Sequence, residues 1–231
     1  SRWIAIGGIN FQPSELTKIA VVLALAHYFS SQPHERMRSI LWYLPALVII
    51  AVPFSLVLIQ PDLGTALMLL FGGLVVVFAA GLPWRYVVGA FVAVVAAIPV
   101  FWMQLHAYQK ARVMIFLNPE SDALGAGYQI TQSKIALGSG GIFGKGFLMG
   151  SQSQLNYLPE KQTDFVFTMI GEEFGFAGNV FILFIYLLLT LSIMWISFRV
   201  QSRFAQLTCI GIAMTVFFYM FVNVAMVTGL L

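Results

Sequence analysis

Three carboxylates, Glu160, Asp164 and Glu172, gather where a long polar stretch of the chain gives way to an apolar one. The segment Tyr157-Leu158-Pro159-Glu160-Lys161-Gln162-Thr163-Asp164-Phe165 leads into a predicted helix that runs through Gly171-Glu172-Glu173 towards a membrane. A carboxylate at such a boundary can serve as a general base, its proton affinity tuned by partial burial. Asp164 can equally cap the helix that follows it, because its side-chain oxygen can accept the free N–H groups of the first turn. A second pair, Glu15 and Lys18, stands at i and i+3, one face of a helix, where the charges can neutralise each other. Pro13 and Ser14 read as the start of that helix, with the Ser as cap. Ionisable groups inside a membrane segment are costly, so the pair is either a structural ion pair or a cavity-facing pair that touches substrate.

Other polar motifs carry less. Asp62, between Pro61 and Leu63-Gly64-Thr65, reads as the cap of the next helix. His27, His34 and His106 match no metal-ligand spacing. The run Gly138-Ser139-Gly140-Gly141-Ile142-Phe143-Gly144-Lys145-Gly146 is no nucleotide loop. A Walker A loop requires Gly at Ser139 and Ser or Thr at Gly146, and the dinucleotide pattern fails at Phe143. What remains is a flexible backbone with exposed N–H groups and Lys134, Lys145 and Lys161 nearby, a candidate cradle for an anion such as a diphosphate.

The elements that position these groups follow from composition. The 231 residues are 60% hydrophobic and 9% charged, far below the roughly 25% charge of soluble domains. Six stretches are apolar enough to cross a bilayer: 16–31, 41–59, 63–82, 86–105, 172–198 and 204–231. The predicted fold is all-α, a polytopic transmembrane helical bundle forming a single integral membrane domain over residues 1–231, with a long, partly ordered loop at 106–163. Arg36, Arg38, Arg85, Arg199 and Arg203 all fall in connections on one side, which the positive-inside rule makes cytoplasmic. The long loop is then extracytoplasmic, with short helices or re-entrant pieces expected at the membrane surface. Pro53 and Pro99 interrupt spans and could shape a cavity, and Gly72-Gly73 opens a close-packing face. The net charge of +3 is scattered rather than clustered, which sets nucleic acid aside. Cys209 is alone, so neither a disulfide framework nor a cysteine metal site is available.

These residues resemble the SEDS family of peptidoglycan glycosyltransferases, whose members include RodA and FtsW. The matching pieces are Arg2-Trp3, Phe11-Gln12-Pro13-Ser14-Glu15, Gln60-Pro61-Asp62-Leu63-Gly64-Thr65, Gly127-Tyr128-Gln129, Gln132-Ser133-Lys134-Ile135-Ala136, Gly138-Ser139-Gly140-Gly141, Tyr157-Leu158-Pro159-Glu160, Thr163-Asp164-Phe165 and Gly171-Glu172-Glu173. Asn118-Pro119-Glu120-Ser121-Asp122 favours the RodA-like, elongation branch over the FtsW-like, division branch. The resemblance implies a fragment of a ten-span bundle, corresponding to spans four through nine. It implies polymerisation of lipid II into glycan strands on the outer face of the bacterial inner membrane during cell elongation. It also implies a class B penicillin-binding protein as transpeptidase partner, among other elongation complex proteins and membrane lipids. The catalytic carboxylate carries over to Asp164. Lys18 and Lys134 are candidates for diphosphate contact, Glu15 and Glu160 for orienting neighbours, and Gln132 and Ser133 for further substrate contact. No cofactor is certain; a divalent cation, Mg or Mn, is a candidate helper. A flippase or transporter of lipid-linked precursors is the competing reading, motivated by proline-broken spans and intramembrane charges.

Overall fold

The computed structural model describes residues 4–6, 9–32, 40–60, 62–104, 126–150 and 166–228. A three-residue antiparallel ladder, β1 (Ile4–Ile6) with β2 (Ile9–Phe11), precedes the helices, Ile4 pairing with Phe11. The helices are α1 (Pro13–Ser30), α2 (Leu44–Ile59, entered through a 3-10 turn at Ile40–Tyr43), α3 (Leu63–Ala79), α4 (Trp84–Gln104), α5 (Ala126–Ser139), α6 (Val166–Arg199) and α7 (Arg203–Thr228). The fold class is all-α, with the small hairpin as an addition to it. Helix α5 lies inside the stretch expected as loop, and α6 starts six residues before the apolar run expected from residue 172.

Among the described residues three helical stretches, Leu41–Ile59, Val166–Arg199 and Arg203–Thr228, are long and apolar enough to cross a membrane, and two shorter apolar ones lie at Gly64–Ala79 and Trp84–Pro99. In the most apolar window of Val166–Arg199 only 6% of residues are buried. The large side chains of this helix face outward, Phe181, Phe184, Leu187 and Leu191 among them, as those of a membrane-spanning helix do.

The chain forms two compact units, Ser1–Ala90 with Leu187–Tyr219, and Phe91–Tyr186 with Met220–Leu231. In the first, Val21, Val22, Leu25 and Phe29 of α1 pack with Ile50 of α2, Leu69, Val76 and Val77 of α3 and Leu207 of α7. Glycines set how closely these helices approach. A Cβ on Gly73 would stand 2.7 Å from Ile50 Cγ1, and one on Gly211 would collide with Val22 and Val76. The Gly72-Gly73 packing face is therefore used. The carboxyl end of α3 is closed by Arg203, whose guanidinium donates to the Ala80 carbonyl at 2.7 Å, a cation on the free carbonyls of a helix end.

The second unit has a smaller core, Phe167 and Val227 with Leu137, Met220 and Val224 around them. Pro53 lies inside α2 and Pro99 inside α4, and the backbone departs from helical geometry at Gly175 of α6 (φ 70, ψ −164).

Candidate functional site

In the first unit the polar groups collect at the amino end of α1. Pro13 opens the helix, its missing N–H costing nothing at that position. The Ser14 hydroxyl is buried without a hydrogen-bond partner, so the expected Ser cap is not made; Gln12 occupies the cap position. Lys18 is 4% exposed. Its ammonium donates to Glu15 Oε1 at 2.8 Å and to the Tyr219 hydroxyl of α7 at 2.5 Å. Tyr219 in turn donates to Glu15 Oε2, and the ammonium lies 3.9 Å from the centroid of the Tyr219 ring. A buried charge is tolerated only when paired and hydrogen-bonded, and Glu15 and Tyr219 supply both conditions. The side chain of Glu15 stays 42% exposed against 3% for Lys18, so a ligand arriving at this cluster meets the carboxylate first.

Asp62 lies beside α1 in the same unit and caps α3, accepting from the Thr65 amide at 3.1 Å and the Thr65 hydroxyl at 3.0 Å. Gln12 Nε2 donates to its other side at 3.3 Å. Both carboxylates near Lys18 thus have protein donors on them. Among the described residues no three His, Cys, Asp or Glu side chains group as metal ligands.

The second unit resolves the glycine-rich run differently from the expected anion cradle. In a helix the amides of Phe176 and Ala177 bond the carbonyls of residues 172 and 173. At the Gly175 break they turn instead to Gly141 O (2.9 Å) and Ile142 O (3.0 Å). The carbonyls left over at Glu172 and Glu173 accept from the amides of Lys145 and Gly146, both at 3.0 Å. These two amides and two carbonyls are thus satisfied by the loop, as backbone polar groups require. The Gly141 and Gly144 amides bond within the run and that of Gly140 bonds back to Ala136 and Leu137 of α5, so these glycine amides are not free for a phosphate. Glycine is required because the two backbones touch: a Cβ on Gly140 would meet Gly171 O, and one on Gly144 (φ 81) would meet Glu173 O. The same loop brings Lys145 Nζ to 2.9 Å from Glu172 Oε1. Glu172, 1% exposed, is thereby paired with Lys145.

Of the residues expected to act on substrate, Glu15 and Lys18 are brought together. Gln132, Ser133 and Lys134 share α5: Ser133 is fully buried, Gln132 half-buried and Lys134 exposed, so Lys134 is the one that faces outward. Asp164 and Glu160 lie outside the described residues. Sequence reasoning missed Tyr219, which sits in an apolar run 201 residues from Lys18, and the Lys145–Glu172 pair. For the pair, the signal was present in two glycine-rich segments, each suited to close backbone approach.

The family model described as cell cycle protein (FtsW, RodA, SpoVE) matches residues 1–231. The chain is 47% identical over its whole length to the peptidoglycan glycosyltransferase MrdB of Escherichia coli K12, of which it covers 62%. It is 41% identical to the probable peptidoglycan glycosyltransferase FtsW of Trichlorobacter lovleyi, of which it covers 60%. A chain in a solved structure described as "Structural coordination of polymerization and crosslinking by a peptidoglycan synthase complex" is similar with a TM-score of 0.79 and 32% identity, over 99% of this chain and 62% of that one. The chain thus spans about three fifths of the length of these relatives.

Proposed function

The chain belongs to the FtsW, RodA and SpoVE family of cell cycle proteins, and from that premise we propose that it is part of a peptidoglycan glycosyltransferase that polymerises lipid II during cell elongation. The observation that carries this reading is the whole-chain likeness to MrdB, named a peptidoglycan glycosyltransferase, which exceeds the likeness to FtsW. The protein is placed by this reading in the bacterial inner membrane as a multi-pass protein, with a class B penicillin-binding protein as partner, in keeping with the synthase complex that its structural relative belongs to.

Lipid II joins a disaccharide to a lipid diphosphate, so the reaction belongs at the membrane boundary. The acceptor 4-hydroxyl attacks the anomeric carbon of the donor with inversion. The new C–O bond forms as the bond to the diphosphate breaks, and the hydroxyl proton passes to Asp164 as general base. Lys134, exposed on α5, is suited to the departing diphosphate; Lys18, the other expected diphosphate contact, is buried against Glu15, which leaves Glu15 as the group of that pair open to substrate. Glu160 orients neighbours, and Gln132 borders the same α5 surface.

The test is polymerisation of labelled lipid II by the purified full-length protein with its transpeptidase. Asp164→Asn keeps the capping oxygen and cannot take a proton at neutral pH. It is expected to lower polymerisation by roughly 10²–10⁴, the worth of a positioned acid–base group, at unchanged membrane abundance and partner binding. Wild-type polymer from folded Asp164→Asn protein refutes the base. Movement of labelled lipid across vesicles without polymer replaces the enzyme with a flippase.

A further inference from the structure

No motif in the sequence points to Tyr219, a tyrosine in an apolar run of α7. It nevertheless closes a ring of three hydrogen bonds: Lys18 to Glu15 Oε1, Lys18 to the phenol oxygen, and the phenol to Glu15 Oε2. Each oxygen of the Glu15 carboxylate thus has its own donor, one from α1 and one from α7, 204 residues away. Donors on both oxygens hold the plane of a carboxylate that a single salt bridge would leave free to turn. With Lys18 buried behind it and 42% of its own side chain exposed, Glu15 keeps outward lone pairs for a further donor. Packing alone would use the aromatic ring and leave the hydroxyl without a role.

We propose that Tyr219 is a positioning residue: its hydroxyl fixes the Glu15 carboxylate in the orientation in which Glu15 accepts hydrogen bonds from hydroxyls of the sugar substrate. This rests on the glycosyltransferase reading above. The ring of Tyr219 also covers the Lys18 ammonium, and Tyr219→Phe retains that contact while deleting only the hydroxyl.

The experiment is a double-mutant cycle in the full-length protein with its transpeptidase: wild type, Tyr219→Phe, Glu15→Gln and both. Two quantities are read for each, kcat/KM for polymerisation and equilibrium binding of fluorescent lipid II, the second remaining measurable in inactive variants. Tyr219→Phe is expected to lower kcat/KM and binding by roughly 10- to 100-fold, the worth of a hydrogen bond to a charged group, at wild-type abundance. In the Glu15→Gln background the same change is expected to cost clearly less, about 2- to 5-fold, because a hydrogen bond to a neutral amide oxygen is worth less than one to a carboxylate. Wild-type values for Tyr219→Phe, or an equal loss in both backgrounds, overturn the inference while leaving the enzyme reading intact. Absence of both polymer and binding with the wild-type protein overturns that reading and this inference with it.

Discussion

The exchange of backbone hydrogen bonds at Gly175 makes a quantitative demand on one glycine. Gly175 has φ 70 and ψ −164, a region essentially confined to glycine, where another residue costs about 1–3 kcal/mol. An alanine there also drives its Cβ into Gly144 N and Ile142 O, so the loop must move away from α6. Four backbone bonds depend on that approach: Phe176 to Gly141, Ala177 to Ile142, Lys145 to Glu172 and Gly146 to Glu173. At about 1 kcal/mol net each, losing two to four of them brings the expected destabilisation by Gly175→Ala to roughly 3–7 kcal/mol. Gly81 is the internal reference. Its φ is 111, yet a Cβ there meets nothing within 4 Å, so Gly81→Ala bears the dihedral cost alone, about 1–3 kcal/mol. Thermal unfolding of the detergent-purified variants, followed by the monodisperse fraction after heating, compares the two. Gly175→Ala is expected to unfold at clearly lower temperature than Gly81→Ala. Equal midpoints would refute the claim that the glycine-rich loop completes the hydrogen bonding of α6.

Three further outcomes follow from the geometry. Glu172 is buried against Lys145, so Lys145→Met alone is expected to cost about 3–5 kcal/mol by removing the cation that pairs with a buried carboxylate, and the double change Lys145→Met/Glu172→Gln less; additive losses in thermal unfolding would rule out the pairing. Asp62→Ala removes the α3 cap and is expected to cost about 1 kcal/mol, with Asp62→Asn near wild type; equal losses for both would mean that the charge of Asp62, rather than its capping oxygen, matters. In a Cys209→Ser background, a single cysteine at Ser151 is expected to react with a membrane-impermeant reagent from the extracytoplasmic side, and labelling only from the cytoplasm would reverse the topology and remove the lipid II reading.

Helices and apolar spans were legible in the sequence because both are local. Unbroken runs of about 20 apolar residues leave lipid as the simplest solvent, and Asp62 with Thr65 three positions later is a cap that needs only the adjacent turn. Glu15 and Lys18 were legible for the same reason, since i and i+3 meet on any helix. Pro53 and Pro99 lie inside α2 and α4, where the sequence put them, while the departure at Gly175 could not be read locally, because it depends on a second backbone arriving to bond what the break releases. That backbone comes from about 30 residues earlier in the chain, and no local pattern states where it docks. Composition and motif order by themselves determined an all-α membrane protein and the family it belongs to. Tertiary structure alone decided that the glycine amides are consumed within the protein, that Glu172 is held by Lys145, and that Tyr219 reaches Glu15 and Lys18. Each of these joins groups far apart in sequence, and their meeting depends on how whole helices pack rather than on any residue's neighbours.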